Sequence, residues 1–568
     1  MPISSPYNFV PLNEHVFIPE WGKQVSHDLP FREGESGVID VEFCNITPLF
    51  VRGAAKGQEK PDQPASFIDE NGNKRYFIPG SSLRGMLRSV MEILSFGRLS
   101  QINKGHFGYR DFRNNDYKQA LQCVHAGWLR KDKDDNDKLK LTPCLGEFTE
   151  DKQNCTNYGF KTVTHKEIRK RYHKFSSRAN AQSKLEVIRD YVDWGNSSFQ
   201  LVCTGSMENR DPKKSKKIEY LFSKKRGKQI TLSDVVKEQF LEVQKTHPLF
   251  DSFFKKRLEE RKEIPVFYSI DSRGEVIHVG LTRYYRIPFP QGVKDGVRQL
   301  PNASPDLCDL ILGYVSPDKD AMKGRVVVGH ALSTSQVKEK LVMVSGVLGE
   351  PRASFYPYYL AQNGKKYSTY STSSFTLAGR KRYRIHKEDS TMPLPQGNNN
   401  DKVKTTLYAL PPNIKFHFRI MVHNLLPQEL GALLSALTLH QQEGVYHNLG
   451  MAKGYGYGKL TAPEVSLKGF KHDEVKHYLE VFEEEMSVFT LEKYHKSFTK
   501  TQQVRALLKI ATEHNKEEVR MMELQEYGQV KKEQGRLSLE EYDVVGKVGE
   551  ETLLARFEQK RKERMGQS

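Results

Sequence analysis

The chain has 568 residues, and its 88 lysines and arginines against 70 aspartates and glutamates give a net charge of +18, which favours a polyanionic partner such as nucleic acid. No apolar run reaches the roughly 18 residues of a membrane span, and residues 1–26 lack the apolar centre of a signal peptide, so we expect a cytoplasmic protein without a membrane partner. Six cysteines without a C-x-x-C pair do not form a disulfide framework.

The first strand is expected at NITPLFVRG (45–53), and a polar loop rich in glycine, proline and lysine follows it. This loop contains an Asp62-x-Pro motif, which by itself indicates no more than the start of a proline turn. The DENGN segment (69–73) then predicts a hairpin turn, because Asn-Gly is a strong turn pair.

A helix is predicted to begin within FIPGSSLRGML (77–87). Its apolar stripe consists of Leu83, Leu87, Val90 and Leu94. Ser81 and Ser82 are expected at the N-cap, where free N–H groups and the helix dipole favour an anion. Arg84 and Arg88 lie off the stripe, one turn apart, so the segment predicts a phosphate site. The alternative is an ordinary capped helix with solvated arginines.

Positive charge concentrates in the segment 106–299, for example in KEIRKRYHK (166–174) and between 210 and 228. Aromatic residues interleave with these cations, namely Tyr172, Phe175, Tyr220 and Phe222. Contact with RNA or a neighbouring subunit is one interpretation, and a solvated surface is the other. Five potential ligands for zinc lie here, Cys123, His125, Cys144, Cys155 and Cys203, but their spacing does not fit a zinc finger, so we expect thiols and no metal site.

A strand at FHFRIMVHNL (416–425), a helix at PQELGALLSAL (427–437) and a glycine-rich loop at HNLGMAKGYGYGKL (447–460) follow one another late in the chain. Glycines let a backbone approach phosphates closely, while lysines and tyrosines supply charge and stacking faces. A plain flexible turn is the alternative interpretation of such a loop.

Together these segments resemble a RAMP-superfamily protein, a backbone subunit of a type III CRISPR effector complex. The family has an early IPGSSLKG-type turn and a late glycine-rich loop, and both touch guide RNA. SPDLCDLILGYV (304–315) and KGRVVVGHAL (323–332) resemble its acidic-leucine helix and core strand, although Gly329 and His330 replace the usual Ser-Asp. IPVFYSIDSRG, LGEPRASFYPYYL and the ELGALL helix are most similar to the large-insertion, III-D-like branch.

The resemblance implies an α+β fold with an RRM-like (ferredoxin-like) core, a large insertion, a thumb hairpin and a helical C-terminal extension. The length also favours several modules, since one hydrophobic core rarely exceeds about 250–300 residues. We therefore expect a lead-in (1–36), a first core part (37–105), a basic insertion domain (106–299), a second core part (300–465) with the thumb at about 356–407, and a helical, partly disordered extension (466–568).

The resemblance also assigns RNA-binding residues in the two anion-friendly elements: Ser81, Ser82, Arg84, Arg88, His447, Lys453, Gly454, Tyr455, Gly456, Tyr457 and Gly458. The implied partners are a CRISPR guide RNA, a complementary target RNA, and the other RAMP and large subunits of a complex in the prokaryotic cytoplasm. Base pairing of the guide would select the target, while the protein reads shape and charge.

Backbone subunits that cut target RNA carry an aspartate as D-x-P in the loop after the first strand, and Asp62 matches it. Its carboxylate would activate a ribose 2′-OH, as a base or through a weakly bound Mg²⁺ or Mn²⁺. Asp69 and Glu70 are less favoured alternatives. A metal-dependent endoribonuclease within a complex is therefore expected, with zinc not expected.

Two other functions stay open. The first is a backbone subunit that binds guide and target RNA without cutting. The second is a stand-alone guide-processing endoribonuclease, in which a histidine such as His447 would take the 2′-OH proton. For His447 a capping or RNA-stacking role is the preferred interpretation.

Overall fold

The structure is a computed structural model. It describes residues 4–53, 63–102, 105–112, 115–150, 155–171, 194, 198–204, 218–245, 250–298, 304–315, 321–334, 337, 340–349, 352–362, 366–390, 404–533, 539, 558–559 and 562.

The strands, in chain order, are β1 (Tyr7–Val10), β2 (Glu35–Cys44), β3 (Ser66–Ile68), β4 (Lys74–Ile78), β5 (Gly108–Tyr109), β6 (Val124–Lys131), β7 (Leu139–Pro143), β8 (Glu147–Glu150), β9 (Cys155–Tyr158), β10 (Phe160–Thr164), β11 (Phe199–Val202), β12 (Ile218–Ser223), β13 (Ile230–Thr231), β14 (Ile264–Ile270), β15 (Val276–Gly280), β16 (Ile287–Pro288), β17 (Gly313–Val315), β18 (Ala321–Lys323), β19 (Val326–Val328), β20 (Ala331–Ser333), β21 (Val342–Gly346), β22 (Arg380–Tyr383), β23 (Ile385–His386), β24 (Thr405–Ala409), β25 (Lys415–Leu425), β26 (Glu464–Lys468) and β27 (Glu513–His514).

The α-helices are α1 (Gly80–Leu94), α2 (Asn115–Ala120), α3 (His165–Arg171), α4 (Asp234–Gln244), α5 (Lys256–Glu259), α6 (Leu307–Leu312), α7 (Tyr356–Tyr359), α8 (Pro427–Thr438), α9 (Val475–Tyr494), α10 (Gln502–Ala511), α11 (Lys516–Val519) and α12 (Leu524–Lys532). The chain is a mixed α and β protein, in agreement with the coarse fold class expected from the sequence.

Two compact units divide the chain. The first contains residues 1–102 and 295–568, and the second contains residues 103–294. The predicted insertion (106–299) covers nearly the same residues as the second unit. The boundaries of the other predicted domains stay predictions.

The first unit is built on an antiparallel sheet with the strand order β26-β2-β25-β20-β4-β3, and β19 also pairs with β25. Side chains along β25 alternate between buried and exposed for most of its length, because successive residues of a strand point to opposite faces. Its buried face carries Phe416, Phe418 and Ile420, which form a core with the apolar stripes of α1 and α8. That core positions the start of α1 and the loop after α8.

The long helix α9 belongs to this core. Tyr478 and Phe482 are fully buried, and a Cβ at Gly431 of α8 would collide with the Tyr478 carbonyl oxygen. The two helices therefore touch backbone to backbone, which only glycine allows there. In the C-terminal extension, α9 and α10 both contribute buried residues to the main core.

The segment predicted as a thumb hairpin (about 356–407) makes its strand pairs with other parts of the first unit. In the described residues β22 pairs with β1, β23 with β27 and β24 with β21. One isolated bridge, between Leu360 and Leu377, joins two points inside the segment. The strand pairing therefore ties β22 to the N-terminal strand.

The second unit has its own sheets and its own core. The main path is β13-β7-β6-β14-β15, with β8 and β9 attached beside β6, and a smaller sheet has the order β10-β12-β11. Phe160, Phe222 and Phe267 pack edge to face in its centre. In one interpretation of the sequence Tyr220 and Phe222 stack on RNA bases, and in the other they lie on a solvated surface, but both rings are buried in this cluster. Tyr172 and Phe175 lie outside the described residues.

Candidate nucleic-acid interface

Helix α1 begins at Gly80, and Pro79 occupies the N-cap, two residues before Ser81, so the predicted N-cap position is wrong. Ser81 and Ser82 therefore lie in the first turn, and no side chain of the N-cap residue bonds to the helix. The Gly80 N–H instead donates to Nδ1 of His330, at 2.9 Å. This imidazole takes the place of a capping oxygen, and the bond requires Nδ1 to be unprotonated.

The arginines of α1 already have hydrogen-bond partners within the protein. Arg88 Nε donates to Glu92 Oε1 at 2.9 Å, and Arg88 Nη2 donates to Asp309 Oδ1 at 2.9 Å. Arg84 Nη2 donates to the Leu312 carbonyl oxygen. Burial, followed by the charge of Asp306, raises the pKa of Asp309 to about 6. Phosphate contacts by these arginines stay a prediction, and a phosphate would have to compete with these partners.

The glycine loop is a folded, packed turn. Gly450, Gly456 and Gly458 have φ angles of +86°, +85° and +76°, which L side chains rarely adopt. Tyr455 and Tyr457 were expected to offer stacking faces, but each is only 6% exposed, in a small core with Phe50 and Leu407. The Tyr455 hydroxyl also donates to the Val347 carbonyl oxygen at 3.0 Å. Hydrophobic packing against a distant strand hides these rings.

His447 is buried, with 4% of its surface exposed, and its Nε2 bonds to the Leu437 carbonyl oxygen at 2.9 Å. Burial, followed by the charge of Arg382, lowers the pKa of His447 to about 4. The ring is therefore neutral at pH 7 and almost entirely enclosed by the protein. A stacking role or a proton-transfer role would need a rearrangement of the core around it.

A cation that was not among the predicted RNA-binding residues lies beside the glycine loop. Arg382 of β22 donates from Nη1 to Ser89 Oγ of α1 at 3.0 Å, and burial lowers its pKa to about 10. Lys453 donates from Nζ to the Gly450 carbonyl oxygen at 2.6 Å, and its pKa is lowered by burial and then by Arg382. Among the described residues no carboxylate forms an ion pair with either side chain.

Arg382 brings together the two predicted anion-binding elements, α1 and the glycine loop. It bonds to Ser89 on the helix and lies close enough to Lys453 and His447 to lower both of their pKa values. A small cavity lined by Met86 of α1 and by His447 joins the same two elements. The sequence signal was the run GRKRYRIHK (379–387), whose arginines at every second position share one face of a strand.

A cleft of about 300 Å³ opens next to Lys453. It is lined by Leu348, Gly349, Tyr383, Gly450, Met451, Ala452, Lys453, Gly454, Tyr455 and Met521. Among the described lining residues there is one cation and no carboxylate, and Lys453 Nζ lies 5.6 Å from the centre of the Tyr383 ring. A concave, basic surface with an aromatic wall is suited to a nucleotide.

The proposed catalytic residue Asp62 lies outside the described residues, so its role stays a prediction. Asp69 is committed to the predicted hairpin turn: its Oδ1 accepts from the N–H groups of Asn71 and Asn73, at 3.0 and 2.8 Å. In the described part of the chain no three histidine, cysteine or acidic side chains converge as a metal site. No helix described there is long and apolar enough to cross a membrane.

A profile of the RAMP superfamily matches residues 45–461, which is well over half of the chain. The chain belongs to the RAMP superfamily. A comparison with curated proteins finds no relative whose sequence matches this one.

Three solved structures are similar to the chain at low identity. One is a chain of a type IV-B CRISPR complex, at 11% identity over 77% of this chain and 96% of that one, with a TM-score of 0.25. The second is Csc2 of Thermofilum pendens, at 11% identity over 87% and 80%, with a TM-score of 0.24. The third is a chain of a CRISPR RNA-guided surveillance complex in a pre-nicking state, at 9% identity over 76% and 77%, with a TM-score of 0.21. TM-scores this low carry no functional argument.

Proposed function

We propose that this protein is a guide-RNA-binding backbone subunit of a type III, III-D-like CRISPR effector complex that targets RNA. Its partners are the guide RNA, a complementary target RNA, and the other RAMP and large subunits of the complex. Membership of the RAMP superfamily and the net charge of +18 support this proposal. The finer assignment rests on the motifs at 77–87 and 447–460 and, for the III-D-like branch, on the similarity of IPVFYSIDSRG, LGEPRASFYPYYL and the ELGALL helix.

An RRM-like core is part of the proposal, and the order of elements supports it. The sequence β2, α1, β19 with β20, β25, α8 and β26 runs strand, helix, two strands, helix, strand, as in ferredoxin-like folds. In the sheet the neighbours are β26-β2-β25-β20. The two central strands are therefore the first and third of the core.

The observation that carries the proposal is a pair of cations at the packed glycine loop, Arg382 and Lys453, which form no ion pair with any carboxylate of the described residues. Half-buried cations without a carboxylate partner lose hydration and gain little in return, so they are stabilised when an anion binds. A phosphate of an RNA backbone would supply that charge and accept hydrogen bonds from both. Such contacts read no base identity, which suits a subunit whose guide does the selecting.

Target cleavage through Asp62 is the second part of the proposal. Its carboxylate would assist in-line attack of a ribose 2′-OH, and a weakly held Mg²⁺ or Mn²⁺ would supply charge stabilisation at the phosphate. A subunit that binds without cutting is the alternative if this aspartate is inert. The buried, neutral His447 does not favour a guide-processing enzyme.

Salt-dependent binding of a guide-length RNA tests the proposed site. The double variant Arg382→Ala with Lys453→Ala should bind more weakly and lower the slope of log affinity against log salt by about two, one for each lost phosphate contact. The matched control is Arg273→Ala with Lys476→Ala, two exposed cations elsewhere on the chain. Equal affinities and slopes for the two double variants would contradict the proposal.

A further inference from the structure

Arg88 of α1 lies between two carboxylates. Its Nε donates to Glu92 Oε1 of the same helix and its Nη2 donates to Asp309 Oδ1 of α6, each at 2.9 Å. All three side chains are largely buried, with between 14% and 18% of each exposed. A guanidinium binds a phosphate best through two parallel N–H groups. Nε and Nη2, the atoms of one such pair, both already have an anionic partner.

The cluster around Asp309 contains more carboxylates than ion pairs. Asp306, at the N-cap of α6, is 3% exposed, and its carboxylate accepts from the N–H groups of Asp309 and Arg98, at 2.9 and 2.7 Å. Glu92 also forms an ion pair with Arg380 of β22, at 2.6 Å. In the described part of the chain Asp306 has no ion-pair partner. The charged and titratable groups of the cluster come from α1, α6, β22 and the segment after α1: Arg88, Glu92, Arg98, Asp306, Cys308, Asp309 and Arg380.

We propose that Asp309 is an internal competitor of RNA phosphate: it holds Arg88 while no RNA is bound, and it releases the guanidinium and takes up a proton when a phosphate binds Arg88. This inference rests on the proposed function, because it needs an RNA backbone beside α1. Ser89, the next residue of the helix, already bonds to Arg382 of the proposed phosphate site, at 3.0 Å. Arg88 is therefore the neighbour, along α1, of a residue that contacts that site.

The electrostatics of Asp309 couple this exchange to pH. Burial, followed by the charge of Asp306, raises the pKa of Asp309 to about 6, and Arg88 opposes that rise. When Arg88 moves to a phosphate, this opposing charge is lost, so the pKa of Asp309 rises further in the bound state. A carboxyl group whose pKa is higher in the bound state takes up a proton on binding. RNA affinity should therefore increase as the pH falls from above neutral towards 6, and level off below that.

Binding of a short oligouridine to the full-length protein at pH 7, over a range of salt concentrations, tests the competition. Asp309→Asn keeps the shape of the side chain but removes its charge, so Arg88 becomes available to a phosphate. Affinity should rise about fivefold, the size of one half-buried ion pair, and the slope of log affinity against log salt should steepen by about one. Glu480→Gln, at an exposed carboxylate of α9 that pairs with Lys476, is the matched control and should leave both nearly unchanged.

Two further measurements show whether the effect runs through Arg88 and through a proton. In an Arg88→Ala background, Asp309→Asn should not change the affinity, because the guanidinium that it would release is absent. Calorimetry of oligouridine binding between pH 6 and 7, in buffers of different ionisation enthalpy, should show proton uptake by the unaltered protein. Asp309→Asn should reduce that uptake.

The failures of the two proposals are separable. If the unaltered protein binds RNA but Asp309→Asn binds it no more tightly, or tightens binding equally without Arg88, the competition is wrong while the proposed function stands. Weaker binding by Asp309→Asn would also overturn it, since the carboxylate would then position Arg88 for RNA. Binding without proton uptake by the unaltered protein overturns it whether or not the variant folds. If the unaltered protein binds no RNA, the proposed function is wrong and the competition with it.

Discussion

Gly456 gives the most quantitative test of the folded glycine loop. Its φ is +85°, and a Cβ built on it would lie 2.9 Å from His386 Cβ, 3.0 Å from Asp389 Cα and 3.1 Å from the Glu388 carbonyl oxygen. An alanine there is strained by its backbone and crowded by neighbours that are largely main chain. Both effects act on the folded state of the first unit.

Two other glycines separate these effects. Gly72 has φ of +76° in the exposed hairpin turn, with nothing within 4 Å of a built Cβ. Gly85 lies in α1 with helical geometry and the same open space. Alanine at Gly72 therefore reports backbone strain alone, and alanine at Gly85 reports the gain in helix propensity alone.

The magnitudes follow from these contacts. Backbone strain at a left-handed residue costs about 1–2 kcal/mol, and a lower entropy of the unfolded chain offsets about 0.4–1 kcal/mol of it. Gly72→Ala should thus cost about 1 kcal/mol or less. Crowding adds about 1–3 kcal/mol at Gly456, so Gly456→Ala should cost about 2–4 kcal/mol and Gly456→Val more. Gly85→Ala should stabilise by up to about 1 kcal/mol.

Hydrogen exchange followed by mass spectrometry measures these changes in stability in the full chain. The amides of β2 and β25 report the free energy of opening of the first unit separately from that of the second unit. The expected order of stability is Gly85→Ala above the unaltered protein, then Gly72→Ala, then Gly456→Ala. If Gly456→Ala is no less stable than Gly72→Ala, the glycine loop is only a linker, and the close contacts around Gly456 do not contribute to stability.

Three further outcomes are expected. Arg325→Met should destabilise the first unit by about 3–5 kcal/mol in the same exchange experiment, because Glu429 would be left buried without its ion-pair partner. Adding Glu429→Met to this variant should restore most of the lost stability. If it restores none, the loss does not come from the broken Arg325–Glu429 ion pair. His447 has a pKa of about 4 in the folded chain and about 6.5 in the unfolded chain, so its contribution to stability is full above pH 6.5 and falls by up to about 3 kcal/mol as the pH drops to 4. His447→Gln should therefore flatten the profile of stability against pH in that window. An unchanged profile would contradict the burial of His447 as a neutral ring. Asp62→Ala should abolish cutting of a guide-complementary RNA at one site while binding survives, and EDTA or a 2′-deoxy substitution at that site should mimic it; normal cutting by the variant would leave only the binding role.

The sequence correctly predicted those elements that depend only on residues close together in the chain. The stripe of Leu83, Leu87, Val90 and Leu94 is buried as its spacing indicated, because residues three and four apart share one face of a helix. The hairpin turn at 69–73 was also confirmed, with Gly72 at positive φ. Both depend on residues close together in the chain.

The candidate site depends on contacts that no local pattern carries. Arg88 meets Asp309, and Arg382 meets Ser89, across more than two hundred residues of sequence. The tyrosines of the glycine loop are buried because Phe50 and Leu407 come from distant segments to cover them. A lysine or tyrosine in a loop has the same local sequence whether it faces solvent or a core, so only the tertiary structure distinguishes the two.

The nucleic acid that accompanies the purified full-length chain tests the central claim most directly. Extraction at moderate salt should yield RNA of one discrete, guide-like length from the unaltered protein and from the control variant Arg273→Ala with Lys476→Ala. The variant Arg382→Ala with Lys453→Ala should lose most of that RNA while remaining folded. Absence of RNA from the unaltered protein, a random mixture of lengths, or full retention by the Arg382 and Lys453 variant would contradict the account.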